Sequence, residues 1–198
     1  MAKRGISMQL VMVRHGQTDY NAKRLVQGRI NNPLNQHGKK QARELATVFI
    51  NQNETFDYIL SSPLSRALET ADIIRRKFKM EKPIIVDHQL IERDFNELDG
   101  LSVDVAMPII KQPGYSHPGY EVDDVLIKRV TKAILRLAKK HQNDKILCVV
   151  HSHVIKALLV HVDPARFSFA DYLLQNGDAI YFEVKDNTIK FIKHDHHV

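Results

Sequence analysis

Three short apolar runs in this chain each end on residues suited to handling an anion. Val13 is followed by Arg14-His15-Gly16, Leu60 by Ser61-Ser62-Pro63-Leu64-Ser65-Arg66, and Val150 by His151-Ser152-His153. A fourth stretch, Ile84-Ile85-Val86 with Leu90, leads to Glu92. Two guanidiniums can clamp the non-bridging oxygens of a phosphate with paired hydrogen bonds. A neutral imidazole is a competent nucleophile near neutral pH, and a second, protonated one adds a donor. A carboxylic acid can protonate a leaving alkoxide and afterwards activate water. Phosphoryl transfer needs mainly positioning and charge stabilisation. Arg14, His15, Arg66, His151 and Glu92 therefore suit a phosphate monoester as a set. Singly, each has a plainer reading: a structural histidine, a helix-surface arginine, a solvated acid. The His-x-His pair at 151 and 153 has the look of a metal site begun, but no third ligand follows in pattern, so no metal is expected.

The elements that must position these groups are legible as periodicities. Leu10–Val13 and Ile146–Val150 are continuous apolar runs, and Phe56–Leu60 is a less pure one. Runs of this length read as strands buried on both faces, as in a parallel sheet. Ala42, Leu45, Ala46, Phe49 and Ile50 form one face of a helix over about 38–51. Ser62 is an N-cap candidate with Pro63 at the first helical position, opening a helix to about Lys79 along Leu64, Ala67, Leu68, Ala71, Ile74 and Phe78. A third helix carries Val122, Val125, Leu126, Val130, Ala133, Ile134, Leu137 and Ala138, with acids in its first turn and lysines in its last. Ala179–Val184 and Thr188–Ile192 flank Lys185-Asp186-Asn187 as a hairpin. The fold expected is α/β: a three-layer sandwich with a mostly parallel central sheet, an antiparallel edge element and helices on both faces. Residues 1–198 are read as one domain, with about 101–120 as a small cap insertion. The stretch from Gly100 to Tyr120, rich in Pro and Gly, reads as an irregular excursion. In such a sheet, ligands bind outside the carboxyl ends of the strands, which brings the anion-handling residues to one rim.

The whole chain sets wider limits. Its 198 residues are 43% hydrophobic and 26% charged, ordinary for a globular domain with a real core. Cys148 is the only cysteine, so no internal disulfide or thiolate cluster can form, and its apolar neighbours mark it as a core residue. The net charge of +6 comes from scattered basic residues with no nucleic-acid motif, so no nucleic-acid partner is expected. No segment is apolar enough for a bilayer, and the basic start lacks a signal-peptide core; a cytoplasmic location and no membrane partner are the expectation. The tail His194-Asp195-His196-His197 carries metal-binding residue types but reads as a solvated terminus.

Longer blocks sharpen the reading. The blocks are Val13-Arg14-His15-Gly16-Gln17-Thr18-Asp19-Tyr20-Asn21, Arg24–Gly28, Asn32–Gly38 with Gln41-Ala42, Ser61–Thr70, Leu90–Gly100 and Val149-Val150-His151. With these the chain resembles the histidine phosphatase superfamily, in its phosphoglycerate mutase-like phosphatase branch, over nearly its whole length. The resemblance implies that His15 is the phosphorylated nucleophile. It implies that Arg14, Arg66 and His151 bind the phosphoryl group, with Asn21 a further donor, and that Gln27 lines the phosphate pocket. Glu92 would be the proton donor, and no metal or other cofactor is implied. The chain departs from the family pattern at Asn96 (usually Gly), Leu98 (usually aromatic), Asn32 (usually Asp) and Ser152 (usually Gly). Asn96 and Leu98 alter the loop carrying the acid, so Asp94 and Glu97 stand as alternative donors. Ser152 either adds a hydroxyl to the phosphate pocket or crowds it.

The expected activity is metal-independent hydrolysis of a small phosphorylated metabolite through a phosphohistidine, by a monomer or homodimer. A mutase must shield its phosphohistidine from water, and a cap of about 20 residues is small for that. Phosphoglycerate mutase activity, and a catalytically weak phospho-ligand scaffold, are the alternatives. The scaffold is disfavoured because every core group is retained. The pocket rim is expected from Lys23–Ile30 and Met107–Glu121, with Tyr115, His117, Tyr120 and Glu121 as candidates.

Overall fold

Along β1 (Met8–Arg14) the side chains alternate between two cores. Leu10 and Met12 enter one with Ile146, Cys148 and Val150; Val11 and Val13 enter the other with Leu147 and Val149. This period of two explains why the runs are continuously apolar: both faces of each strand are covered. The structure is a computed structural model that describes residues 7–112 and 114–196. The basic start at residues 1–6, Pro113 and His197 lie outside the described residues.

The elements follow as α1 (Asp19–Ala22), α2 (Gln36–Asn51), β2 (Tyr58–Ser61), α3 (Ser65–Lys77), β3 (Ile85–Val86), α4 (Val103–Ile110), α5 (Asp123–Lys140), β4 (Lys145–Val150), α6 (Ser152–Val162), β5 (Ala179–Lys185) and β6 (Thr188–Asp195). The sheet order is β3-β2-β4-β1-β5-β6. The first four strands in that order run parallel, and β5 and β6 add antiparallel pairs at one edge. Helices α5 and α6 cover one face through Leu126, Val130, Ile134, Val154, Ile155 and Leu158. Helices α2 and α3 cover the other through Leu45, Phe49, Ala67, Ala71 and Ile74. Each large side chain fully buried here contributes roughly 1.5–3 kcal/mol of transfer free energy. This is the expected α/β sandwich with its antiparallel edge. Asp186 and Asn187 turn the hairpin at positive φ (50° and 61°), as a two-residue turn of this hand requires.

Register aligns the chemistry. Arg14 pairs with Val150, and Ser61 with Val149, so β1 and β4 end level and β2 ends one residue earlier. The next residues, His15, Ser62 and His151, therefore emerge side by side.

Three local expectations are corrected, and one helix was not foreseen. Ser62 does not cap α3; the helix starts at Ser65 behind Leu64, which makes no side-chain cap bond. The Ser62 hydroxyl instead lies 2.6 Å from His151 Nε2, so a tertiary partner has taken the capping group. The stretch 101–120 is not wholly irregular: Ser102 caps α4, whose Ala106 is buried with Val26, Phe95 and Leu98 in a small core of its own. Pro108 obscured that helix in the sequence. Helix α6 went unforeseen because its side chains are apolar nearly all round, which hides any stripe. The tail is no solvated terminus at His194, which lies within β6 with its side chain only 10% exposed. No helix among the described residues is long and apolar enough to cross a membrane.

Candidate active site

At the carboxyl ends of β1, β2 and β4 a cavity of about 700 Å³ opens. Arg14, His15, Asn21, Gln27, Glu92 and Ser152 line it, and Val26, Phe95, Val103 and Met107 form an apolar wall beneath the cap. Arg66 and His151 do not line it. Both are fully buried directly behind His15. The His151 ring meets His15 edge-on at 5.1 Å between centroids.

His15 is held in one tautomer. Its Nδ1–H donates to Gly16 O at 2.7 Å, which leaves the lone pair on Nε2. Burial, then the charges of Arg66 and Arg14, hold its pKa well below the usual imidazole value, so it is neutral. Arg66 Nε donates to that Nε2 at 3.1 Å. The other two guanidinium nitrogens of Arg66 donate to Ile30 O (2.8 Å) and Gly28 O (2.7 Å). Burial lowers Arg66 to about 10, still charged at neutral pH. The turn that receives it is anchored by Asp99, whose carboxylate accepts from Gly28 N and Arg29 N. A Cβ on Gly28 would come within 2.7 Å of Arg93 O, so only glycine fits there.

His151 is not protonated, contrary to expectation. Burial, followed by Arg66 and His15, holds its pKa well below the ordinary value. Its Nε2 lies 2.6 Å from the Ser62 hydroxyl; where that hydroxyl donates, the proton sits on Nδ1 and the neutral ring is a donor there. That Nδ1 has no hydrogen-bond partner among the described residues; nor do Arg14 Nε and Gln27 Nε2, all three buried. Gln27 is oriented from behind, because its Oε1 accepts from Thr18 Oγ1 (2.7 Å) and Asn32 Nδ2 (3.2 Å). Asn21 Oδ1 is likewise occupied, by Thr18 and Asn176, leaving its Nδ2 as the remaining donor. Buried donors without acceptors are rare in folded proteins, and a group of them around one imidazole marks a place for an anion.

Among the described residues, Glu92 is the one carboxylate on the cavity wall. Burial raises its pKa, opposed by hydrogen bonds from Arg93 N (2.8 Å) and His153 N (3.3 Å) at the start of α6 and by the charge of Arg66. It is thus a carboxyl group that can carry a proton on the same cavity wall as an imidazole that does not.

A family model described as the histidine phosphatase superfamily (branch 1) matches residues 10–195. The chain belongs to the histidine phosphatase superfamily. It is 33% identical over 168 residues to phosphoglycerate mutase-like protein 4 of Arabidopsis thaliana, covering 79% of this chain and 72% of the relative. It is 32% identical over 151 residues to the uncharacterized phosphatase PhoE of Bacillus subtilis, covering 76% and 75%. Its fold matches phosphoserine phosphatase from Entamoeba histolytica, solved with 3-phosphoglyceric acid, at a TM-score of 0.81 with 24% identity, covering 96% and 97%. As a member of this superfamily the chain is a phosphatase-class enzyme with phosphoglycerate mutase-like relatives.

The departures from the histidine phosphatase pattern have local explanations. Asn96 sits at φ 50°, the left-handed region where glycine is usual and Asn is best tolerated among the others. Its Nδ2 donates to Pro118 O at 2.7 Å, tying the loop to the cap. Leu98 is buried in the cap core. Asp94 pairs with Arg29 at 2.9 Å and Glu97 with His117 at 3.2 Å, and neither lines the cavity. Asn32 orients Gln27, and Ser152 reaches the cavity as the first residue of α6.

The rim differs from expectation on its cap side. Arg24, Leu25, Val26, Gln27 and Met107 line the cavity, but Tyr115, His117, Tyr120 and Glu121 do not. The two tyrosines pack on each other at 5.0 Å, and Glu121 pairs with Arg129 at 2.7 Å. His153 lines the cavity too, packed between Phe95 and Phe169 and held neutral chiefly by burial. Sequence reasoning missed Leu174, whose carbonyl accepts from Arg14 Nη1, and Asn176, whose Nδ2 donates to His15 O at 2.8 Å. Both lie in an aperiodic stretch far from His15 in sequence, which offered no signal.

Proposed function

We propose that this chain hydrolyses phosphate monoesters of small metabolites through a phosphohistidine at His15, without a metal ion in the reaction. The reading is carried by one observation: the unpartnered buried donors of Arg14, Gln27 and His151 around a neutral imidazole whose Nε2 keeps its lone pair. The Nε2 lone pair attacks phosphorus and the ester P–O bond breaks. The departing alkoxide takes the proton of Glu92. As Nε2 bonds to phosphorus, Arg66 keeps its proton and redirects the Nε–H hydrogen bond from Nε2 to a phosphoryl oxygen, and the charge growing on those oxygens meets fixed, water-excluded donors. A water then gives a proton to the Glu92 carboxylate as its oxygen attacks phosphorus. The P–N bond breaks and its electron pair returns to Nε2.

Hydrolysis is favoured over mutase transfer because the cap holds a single eight-residue helix, little cover against water. A cytoplasmic monomer or homodimer with no nucleic-acid or membrane partner completes the reading. Because a phosphoserine phosphatase holding 3-phosphoglyceric acid shares the fold, both esters belong in a substrate panel. The test is turnover of that panel and of p-nitrophenyl phosphate in EDTA, with His15→Ala as control. The expected result is turnover in EDTA that His15→Ala abolishes, with acid quench trapping phosphohistidine in the parent. Activity surviving without His15 overturns the mechanism. Conversion of 3- to 2-phosphoglycerate, primed by bisphosphoglycerate and faster than phosphate release, overturns the choice of hydrolase.

A further inference from the structure

A second group of histidines lies away from the catalytic cavity. β6 ends on His194-Asp195, with His196 next, and the sheet sets this end beside Asp178, the residue before β5. Alternate residues of an extended chain share a face, so His194 and His196 turn to the same side. Both reach one carboxylate. His194 Nε2 lies 3.0 Å from Asp178 Oδ2, and His196 Nδ1 lies 3.2 Å from Asp178 Oδ1. One ligand atom from each of the three residues falls within 4.8 Å of the others. Zinc bonds of about 2.0–2.1 Å put tetrahedral ligand atoms roughly 3.3 Å apart, so closing on an ion needs only small shifts.

The surroundings favour a built site over a surface accident. Asp178 is 1% exposed, and its Oδ2 already accepts from Gln175 N at 2.7 Å, which leaves Oδ1 as the freer ligand. His194 Nδ1 lies 2.6 Å from the Tyr172 hydroxyl, the kind of outer partner that holds a ligating imidazole with its other nitrogen inward. Two imidazole nitrogens and one carboxylate suit a borderline transition metal; calcium and magnesium prefer all-oxygen shells.

We propose that Asp178, His194 and His196 form a site for a divalent transition metal of the zinc class, separate from the chemistry at His15. Three protein ligands leave a position for water. The site clips the end of β6 to the turn at Gln175–Asp178. That turn supports the catalytic pair from behind: Asp178 O accepts from Arg14 N at 3.1 Å, and Asn176 Nδ2 donates to His15 O. The metal's role is therefore to steady the turn, and phosphatase turnover does not require it.

Zinc ions alone, titrated calorimetrically into the full chain after EDTA stripping, test this, with Tm measured in parallel. One equivalent is expected to bind and to raise Tm, because the ion binds the folded state. His196→Ala changes an exposed residue and is expected to keep the fold, weaken zinc binding about tenfold or more, and lose the Tm rise. His194→Ala, checked by circular dichroism, is expected to behave likewise. Absence of zinc binding by the parent chain overturns the proposal and leaves a hydrogen-bonded cluster closed by Tyr172. So does binding that is unchanged in both variants, which assigns the metal to other histidines.

Discussion

The floor of the cavity and its cap are built by different physics. On the floor and directly behind it, Arg14, His15 and Arg66 are held by hydrogen bonds to backbone and His151 by the Ser62 hydroxyl, with His15, Arg66 and His151 buried. In the cap, Val26, Phe95, Leu98 and Ala106 pack as a small apolar core, with Met107 and Val103 facing the cavity. The cap's outer tie, Arg24 to Asp104 at 2.7 Å, is exposed and contributes little. Directional bonds fix positions to fractions of an ångström, whereas apolar packing tolerates a change of shape or volume. On the reading proposed above, the floor would set the reaction and the cap what the phosphate is attached to.

Substitutions at three positions can break or sharpen that division. Glu92→Gln is expected to lower kcat on alkyl phosphates about 10²–10⁴-fold, the usual contribution of a general acid. On p-nitrophenyl phosphate, whose leaving group needs no proton, formation of the phosphohistidine should be nearly unaffected, and the loss should fall on its hydrolysis. Because burial raises the Glu92 pKa, the acid form persists above the usual carboxylate range. Alkyl-ester turnover in the parent should then fall as pH rises through that raised value, a limb that Glu92→Gln lacks. A pH profile flat in both would remove Glu92 as the acid. Arg66→Ala comes next, with kcat expected to fall about 10²–10³-fold on all esters alike. Arg66→Lys should rescue little of it, since a lysine cannot reproduce three directed bonds. A loss confined to KM would mean that Arg66 only holds the Gly28–Ile30 turn. Met107→Ala should have the smallest effect, a KM rise of up to about tenfold for bulky esters with kcat held. An equal effect on every ester would dissolve the distinction between floor and cap.

The floor was far more legible than the cap, and for the same physical reason. A residue following a buried strand has one place to go, so Arg14, His15 and His151 could be placed from apolar runs alone. Arg66 was placed at the rim by the strand ending at Leu60, but its complete burial behind His15 depends on backbone carbonyls at Gly28 and Ile30, which no periodicity reports. Ser62 shows the opposite failure. Local capping rules claimed it, and a histidine 89 positions away holds it instead. The cap helix was hidden by Pro108, and the rim tyrosines satisfied each other before reaching the cavity.

By itself the sequence determined the α/β layering, the parallel strands with their antiparallel edge, and which strand ends carry cations, imidazoles and an acid. It could do so because burial on both faces and helical stripes are written in local spacing. Only the tertiary structure decided the protonation and orientation of those groups. Neutral His15 and His151, the raised carboxyl of Glu92 and the support of His15 by Asn176 all arise from burial and from partners distant in the chain. The meeting of Asp178 with His194 and His196 is of the same kind, because only the pairing of β5 with β6 brings those side chains within reach.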